Sequence, residues 1–389
     1  MLINSSKPFM PVRLELTIPK MPKPQKQPIL APKPQWRTSL SEYVTALAWH
    51  PHGQILAAAT AAGEIVLYSE SAPAAQKLSV LHPPNDVSID CLSFSANGAW
   101  LAAAGQEGKI HLWSVSEKHE FAHVTTLEQG NDWIDRLVWH PTRAEFAFSL
   151  GKYVQVWNAE SQDIVTTVNF DASSVLALNW HPSGDWLTVG GYQGIKMWSV
   201  ADWDEDPVYF EMPTATGAIA WDARGKYLAA NTIDKTVVLM PWLGKDFDTQ
   251  PWRMQGFPGK IRAFAWSDVQ EQAEPILVTT SGDEVVVWRK HSNPNIGWEG
   301  EVLRGHVGNV NLVMFQPHTS LLASAGEDGI VSLWQDAAVW NQSLDTSTSE
   351  ITCLQWHPQL GKIAAGNAQG NLLVWHKFVK ATGFGTRSV

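Results

Sequence analysis

The sequence predicts an all-β protein: a closed ring of eight four-stranded sheets, with seven as the alternative count. Three observations carry that prediction. An aromatic residue closing an apolar strand recurs at Trp49, Phe94, Trp139, Trp180, Trp221, Trp266, Phe315 and Trp356, 41 to 49 residues apart. Behind each aromatic comes a turn and a short strand rich in small residues, such as "ILAAAT", "WLAAAG" and "LLASAG". A tight turn then leads to a strand that alternates in character and usually ends in tryptophan, as in "GKIHLW", "DEVVVW" and "GNLLVW". Alternation with a period of two marks half-buried β-strand rather than helix.

Each period also holds a further short strand, such as "KLSVLH", "AHVTTLE" or "EVLRGH". Four strands are too few to bury a core alone. Stacking the units around an axis covers both faces of every sheet and removes most exposed edges, which is the arrangement of a β-propeller. Small Ala and Gly residues in the second strand suit a wedge that narrows toward the axis. The fifth unit, with "KTVVLMPW", is the loosest, and seven blades follow if it merges with the sixth.

In chain order, residues 1–35 form a Pro/Lys-rich extended tail, 36–376 the ring, and 377–389 a short C-terminal tail. The tail holds Pro8, Pro11, Pro19, Pro22, Pro24, Pro28, Pro32 and Pro34, a spacing that favours polyproline II and blocks helix. "PKMP" at 19–22 fits a minimal PxxP docking form, against the plainer reading of a tether. The segment "PQWRTSL", Pro34 to Leu40, is expected to pair with "NLLVWH", Asn371 to His376, closing the ring with an N-terminal strand.

Composition bounds the function. At 44% hydrophobic and 17% charged residues, the chain has ample core and is not disordered overall, and no apolar run is long enough for a membrane-spanning helix. Formal net charge is −10, yet residues 1–37 carry seven bases against the single acid Glu15. Residues 1–37 are therefore +6 and the remainder −16. An acidic body repels nucleic acid and anionic membrane, so neither is an expected partner. The N-terminus lacks the pattern of a secretory signal, which makes the expected compartment the cytoplasm. Cys91 and Cys353 occupy equivalent strand positions, "IDCLSF" and "ITCLQW", and are expected to be inert core thiols.

One unit resembles a known family closely. "LRGHVGNVNLVMFQPHTSLLASAGEDGIVSLW", residues 303–334, is similar to a WD40 repeat, with Gly-His at its opening, Asp in its tight turn and Trp at its close. The resemblance covers about residues 36 to 376. It implies that His306, Ser324, Asp328 and Trp334 form a structural hydrogen-bond tetrad. Other units lack the full set: turn Asp recurs only at Asp234, and Gly-His only in the seventh unit. The remaining blades should then be held more by aromatic packing.

No enzyme motif is present: GxSxG, P-loop, HExxH and paired CxxC are all missing, and neither a catalytic group nor a cofactor is predicted. The carboxylates of "ADWDEDP" (Asp202, Asp204, Glu205, Asp206) read first as a solvated connection, and second as a weak cation site or a contact for a basic partner. The resemblance implies that loops leading into each innermost strand surround the channel mouth and contact partner proteins. At those positions stand Tyr43 and Thr45, Ser88 and Asp90, Trp133 and Asp135, Ser174 and Leu176, Lys260 and Arg262, Asn309 and Asn311, and Glu350 and Thr352. Aromatic rings beside fixed charges are what interface hot spots are made of, so Tyr43, Trp133, Asp135, Arg136, Lys260 and Arg262 are the predicted partner-binding residues.

A second feature invites a different chemistry. His50, His140, His181 and His357 each follow a closing aromatic and precede proline, as in "TALAWHPHG" and "ALNWHPSG". Proline disfavours helical geometry in the residue before it, so exposed turns are expected, on the ring face opposite the partner face. Zinc needs ligands converging on one ion at about 2 Å, and repetition around a ring spreads histidines apart. The metal question narrows to places where copies from adjoining blades meet, blades one and eight and blades three and four, with His50, His52 and His357 as the candidate ligands. The leading expectation is a non-enzymatic scaffold binding another protein; the alternative is a zinc-homeostasis accessory protein using the histidine face.

Overall fold

The computed structural model describes residues 11–12 and 31–376, apart from 74–75, 131, 172, 193, 270–272, 294–295 and 347–348. The rest of the 1–35 tail, with "PKMP", and the 377–389 tail lie outside the described residues. Among those described there is no α-helix, and the sheets are built of successive antiparallel strands, apart from two N-terminal strands that join the sheets of blades five and eight. There are eight blades. Their innermost strands begin at Val44, Ile89, Leu137, Ala177, Thr216, Ile261, Val310 and Ile351. Each packs beside the next, and the eighth beside the first, so the ring is closed.

Closure follows the predicted register. Trp36, Arg37, Thr38 and Ser39 pair antiparallel with Val374, Leu373, Leu372 and Asn371, supplying the fourth strand of blade eight. The Trp375 indole donates to Pro32 O at 3.1 Å, fixing where the tail leaves the ring. Further back, Pro11 and Val12 pair in parallel with Arg253 and Met254 on the outer strand of blade five.

The core is divided among the seams. Eight apolar clusters each draw on two neighbouring blades, such as Ile55, Ala57, Leu67, Ile89, Leu92, Leu101 and Trp113 between blades one and two. Val44, Leu56, Cys353, Ala364, Leu372 and Val374 fill the closing seam. No blade has a core of its own, so each blade's stability is conditional on its neighbours. Ala57, Ala58 and Ala59, like Ala102, Ala103 and Ala104, are fully buried, since the second strand is covered on both faces and only a methyl fits.

The fifth unit is a complete blade. Its chain leaves the sheet after Pro241, folds Trp242 onto Phe247 with ring centroids 5.0 Å apart, and returns as the outer strand Trp252–Met254. That excursion is what loosened its sequence pattern.

Closing tryptophans sew four of the blades to the one before them. The indole nitrogens of Trp139, Trp180, Trp266 and Trp356 donate to Ser93 O, Val138 O, Ala220 O and Met314 O at 2.9–3.1 Å. Trp49, facing the closing seam, has a buried indole nitrogen with no such acceptor.

Candidate functional site

Antiparallel pairing puts the loop into each innermost strand at the same end of the blade as the turn between its second and third strands. The Trp-His-Pro turns lie at the opposite end. The first end, called the upper face below, carries the predicted contact residues.

At this mouth many side chains are already committed. A residue at the start of the innermost strand, or in blade three Arg136 just before it, ties several blades to the next. Thr352 Oγ1 donates to Val44 O, Thr45 Oγ1 to Ile89 O, and Arg136 Nε to Leu176 O at 3.0 Å. Asn311 Nδ2 donates to Glu350 Oε1 at 3.2 Å. Cys91 and Cys353 take part as weak donors to Ile134 O and Val44 O, and burial pushes both thiols up to about 12. Arg136 is therefore largely a tie between blades three and four. Its Nη1 also donates to Asp135 O at 2.7 Å and stands 3.3 Å from Asp135 Oδ2.

What remains on display is uneven. Tyr43 is 39% and Trp133 55% exposed. The Trp133 ring is nonetheless fixed: its nitrogen donates to Asp90 Oδ2 at 2.9 Å, and Ser88 Oγ holds Asp90 Oδ1 at 2.6 Å. Asp135 accepts from Ser149 Oγ at 2.9 Å. Lys260 and Arg262 are both exposed, and neither makes a hydrogen bond or ion pair among the described residues. They flank buried Ile261, whose carbonyl accepts from Asn231 Nδ2 at 3.0 Å. Just before them Gly259 is clamped on Ser281 Oγ by bonds of 2.9 and 2.8 Å. The ring thus holds the backbone under the two cations and leaves their heads unpaired. The supports from Asn231 and Ser281 come from strands distant in sequence, which is why spacing alone did not show them.

In blade seven, His306 Nδ1 lies 2.8 Å from Asp328 Oδ2 and His306 Nε2 2.8 Å from Ser324 Oγ, which accepts from Trp334 Nε1 at 2.7 Å. Asp328 Oδ1 also takes the Ile330 amide at 3.0 Å, pinning the tight turn. Four side chains of one sheet are thereby locked together, as scaffold.

The histidine turns differ from expectation. His50, His140, His181 and His357 are buried, not exposed. Each imidazole reaches into the turn of the next blade, where Nε2 pairs with a glycine carbonyl: His50 with Gly98 at 3.1 Å, His140 with Gly184 at 2.9 Å, His181 with Gly225 at 3.0 Å, and His357 with Gly53 at 2.9 Å. Nδ1 accepts amides of the histidine's own turn, from His52, Thr142, Ser183 and Gln359 respectively. The proline does not bring the histidine to the surface; it shapes a turn that aims the ring sideways into the seam.

The receiving glycines have φ between 66° and 81°, a conformation favouring residues without Cβ. A methyl on Gly53 would also lie 2.1 Å from His357 Cε1. Because both nitrogens of His50 and His357 are engaged, only His52 of the set His50, His52 and His357 has a ring lone pair to offer an ion. Among the described residues no group of three or more His, Cys, Asp or Glu side chains is placed to hold a metal. Burial holds the His50, His140 and His357 imidazoles below their ordinary value, keeping them neutral as this bonding requires.

Comparison with known proteins agrees with this architecture. The family model for the WD domain, G-beta repeat, matches residues 35–69, 76–114, 162–199 and 298–335. The chain is 21% identical over 295 residues to WD repeat-containing protein 26 homolog of Arabidopsis thaliana, covering 73% of this chain and 48% of that protein. It is 25% identical over 240 residues to Protein FIZZY-RELATED 3 of the same plant, covering 59% and 47%. The chain thus spans about half the length of these relatives. Among solved structures, Sqt1 from Chaetomium thermophilum superposes with TM-score 0.73 at 17% identity, over 87% of this chain and 97% of that one. A second Sqt1 structure, bound to the N-terminus of the ribosomal protein L10, gives 0.72 at 17% identity over 86% and 97%. With eight blades and closure by an N-terminal strand, the chain has the β-propeller fold, and four of its segments match the WD domain, G-beta repeat.

Proposed function

We propose that this chain is a non-enzymatic scaffold of the cytoplasm that binds another protein through the upper channel mouth, with Tyr43, Trp133, Lys260 and Arg262 as principal contacts. WD40 propellers typically serve as protein-interaction scaffolds and are generally not enzymes. The observation that carries the reading is the Trp133 ring, more than half exposed yet held rigid by Asp90. Large amphipathic side chains fixed in advance lose little entropy on binding, and they dominate interface energetics. The complex of Sqt1 with the N-terminus of a ribosomal protein supports the use of such a ring for capturing a peptide segment.

Affinity capture with the intact protein and with a Tyr43→Ala/Trp133→Ala variant tests the proposal. The variant is expected to fold normally and lose one or more captured proteins. An unchanged captured set would remove the upper mouth as the binding face.

A further inference from the structure

The fourteen mouth positions named above, two on each of seven blades, are not equivalent in charge. Carboxylates stand on blades two, three and eight: Asp90, Asp135 and Glu350. Each already has a partner in the protein: Ser88 and Trp133 for Asp90, Ser149 and Arg136 for Asp135, and Asn311 for Glu350. The only cations are Lys260 and Arg262, both on blade six, which lies diametrically across the ring from blade two. Nearby acids are partly spoken for. Arg304 holds Glu284 at 2.7 Å, Thr232 donates to Asp234, and Asp283 is exposed in the adjoining turn. Lys235 adds a third positive charge beside the pair, with Nζ on Pro258 O at 3.2 Å.

From this asymmetry we infer that the mouth selects an acidic peptide segment, with a carboxylate side chain on Lys260 and Arg262 and an apolar or aromatic side chain across the channel on Trp133 and Tyr43. The inference rests on the upper-face reading above. Two cations on a pinned backbone, unpaired in a protein of net charge −10, are an arrangement that internal packing does not call for. Arginine's planar fork matches a carboxylate in two-point fashion, and lysine adds a point charge. The chain's own N-terminal tail is basic and does not complement these cations. Nucleic acid would meet a net acidic surface.

A random dodecapeptide phage library selected on the intact protein tests this, with Lys260→Glu/Arg262→Glu selected in parallel after its thermal melt has been matched to wild type. Wild-type binders are expected to be enriched in Asp and Glu together with Trp, Phe or Leu. The double variant should lose the acidic enrichment and weaken a selected synthetic peptide by about tenfold or more, an effect that shrinks in high salt. Binders without acidic enrichment, or acidic enrichment that survives the reversal, would overturn the inference. So would tight binding of a single-stranded DNA 20-mer that the reversal abolishes. Failure of the upper-face reading is distinguishable: Tyr43→Ala/Trp133→Ala would then leave every selected peptide bound. If that variant loses its peptides while the charge reversal does not, the face stands and its acidic preference falls.

Discussion

Four seams of the ring, between blades eight and one, one and two, three and four, and four and five, are latched by a histidine seated in the next blade's turn; the other four are not. Sequence positions explain the division. Every blade that receives a histidine has glycine three residues after the latch position: Gly53, Gly98, Gly184 and Gly225. Blades three, six, seven and eight have Arg143, Gln270, Thr319 and Leu360 there, and the blades before them carry Ser95, Asp222, Ser267 and Gln316 in place of histidine. Donor and receiver therefore occur together or not at all.

In the unlatched seams three of the substitute side chains turn inward. Ser95 Oγ accepts the Trp100 amide at 3.0 Å, Asp222 Oδ1 accepts the Tyr227 amide at 2.6 Å, and Ser267 Oγ accepts the Ile276 amide at 2.8 Å. Contact across the seam passes to exposed pairs such as Asp268 with His318, Nδ1 to Oδ2 3.1 Å. A cavity of about 180 Å³ opens there, lined by Asp222, Arg224, Ser267, Asp268 and His318. The latch thus closes the lower face over half the ring, and looser polar contacts cover the other half.

The largest expected effect comes from filling a receiving turn. Gly53→Ala should destabilise by about 2–4 kcal/mol, through a strained φ and the displaced His357 ring. Gly361→Ala, in the unlatched turn of blade eight, should cost under about 0.5 kcal/mol, since its methyl would meet only Gln316 Nε2 at 3.6 Å. Urea denaturation midpoints compare the two. In a His357→Ala background the cost of Gly53→Ala should fall to the backbone component, and equal costs in both backgrounds would show that the latch is not the cause.

Acid provides the second comparison. Burial lowers the folded-state values of His50, His140 and His357 beneath the ordinary 6.5, so the unfolded chain binds protons first as pH drops. Their contribution to stability is complete above the unfolded value and is lost as pH falls from there through the folded values. Melting temperature should decline between about pH 7.5 and about 5.5, ahead of the carboxylates, and replacing the three histidines by Asn should flatten that slope. An unaltered slope would assign it to other groups.

The smallest effect is a gain. Ser95→His with Arg143→Gly would build a latch between blades two and three. Each single change should destabilise, and the pair should recover a favourable coupling of about 0.5–1 kcal/mol in a double-mutant cycle.

These residues also show how far the sequence carries. Blade count, strand register and ring closure were legible because they repeat along the chain: the aromatic at Trp49 and its seven counterparts, and the alternation in "NLLVWH". The latch was not read, because it links His50 to Gly98 and His357 to Gly53, partners in different units. Its signal was present as glycine three residues beyond Trp-His-Pro, but only comparison of one unit with the next reveals it. At the mouth, the charges of Lys260 and Arg262 were visible in sequence. Their lack of partners was not, since pairing across blades decides it, as the tie from Arg136 to Leu176 shows.

The latch also bears on how such a ring could grow. A tandem copy of blade four would seat His181 in its own duplicate's Gly184 and keep every neighbour matched, and blade one, with His50 and Gly53, has the same property. A copy of blade three would drive His140 against Arg143, and a copy of blade eight would set His357 against Leu360. Blades six and seven, which carry neither part, could be repeated without touching the latch. The ring is thus a string of dominoes whose ends must agree, and its gene could lengthen by whole blades at some joints but not at others.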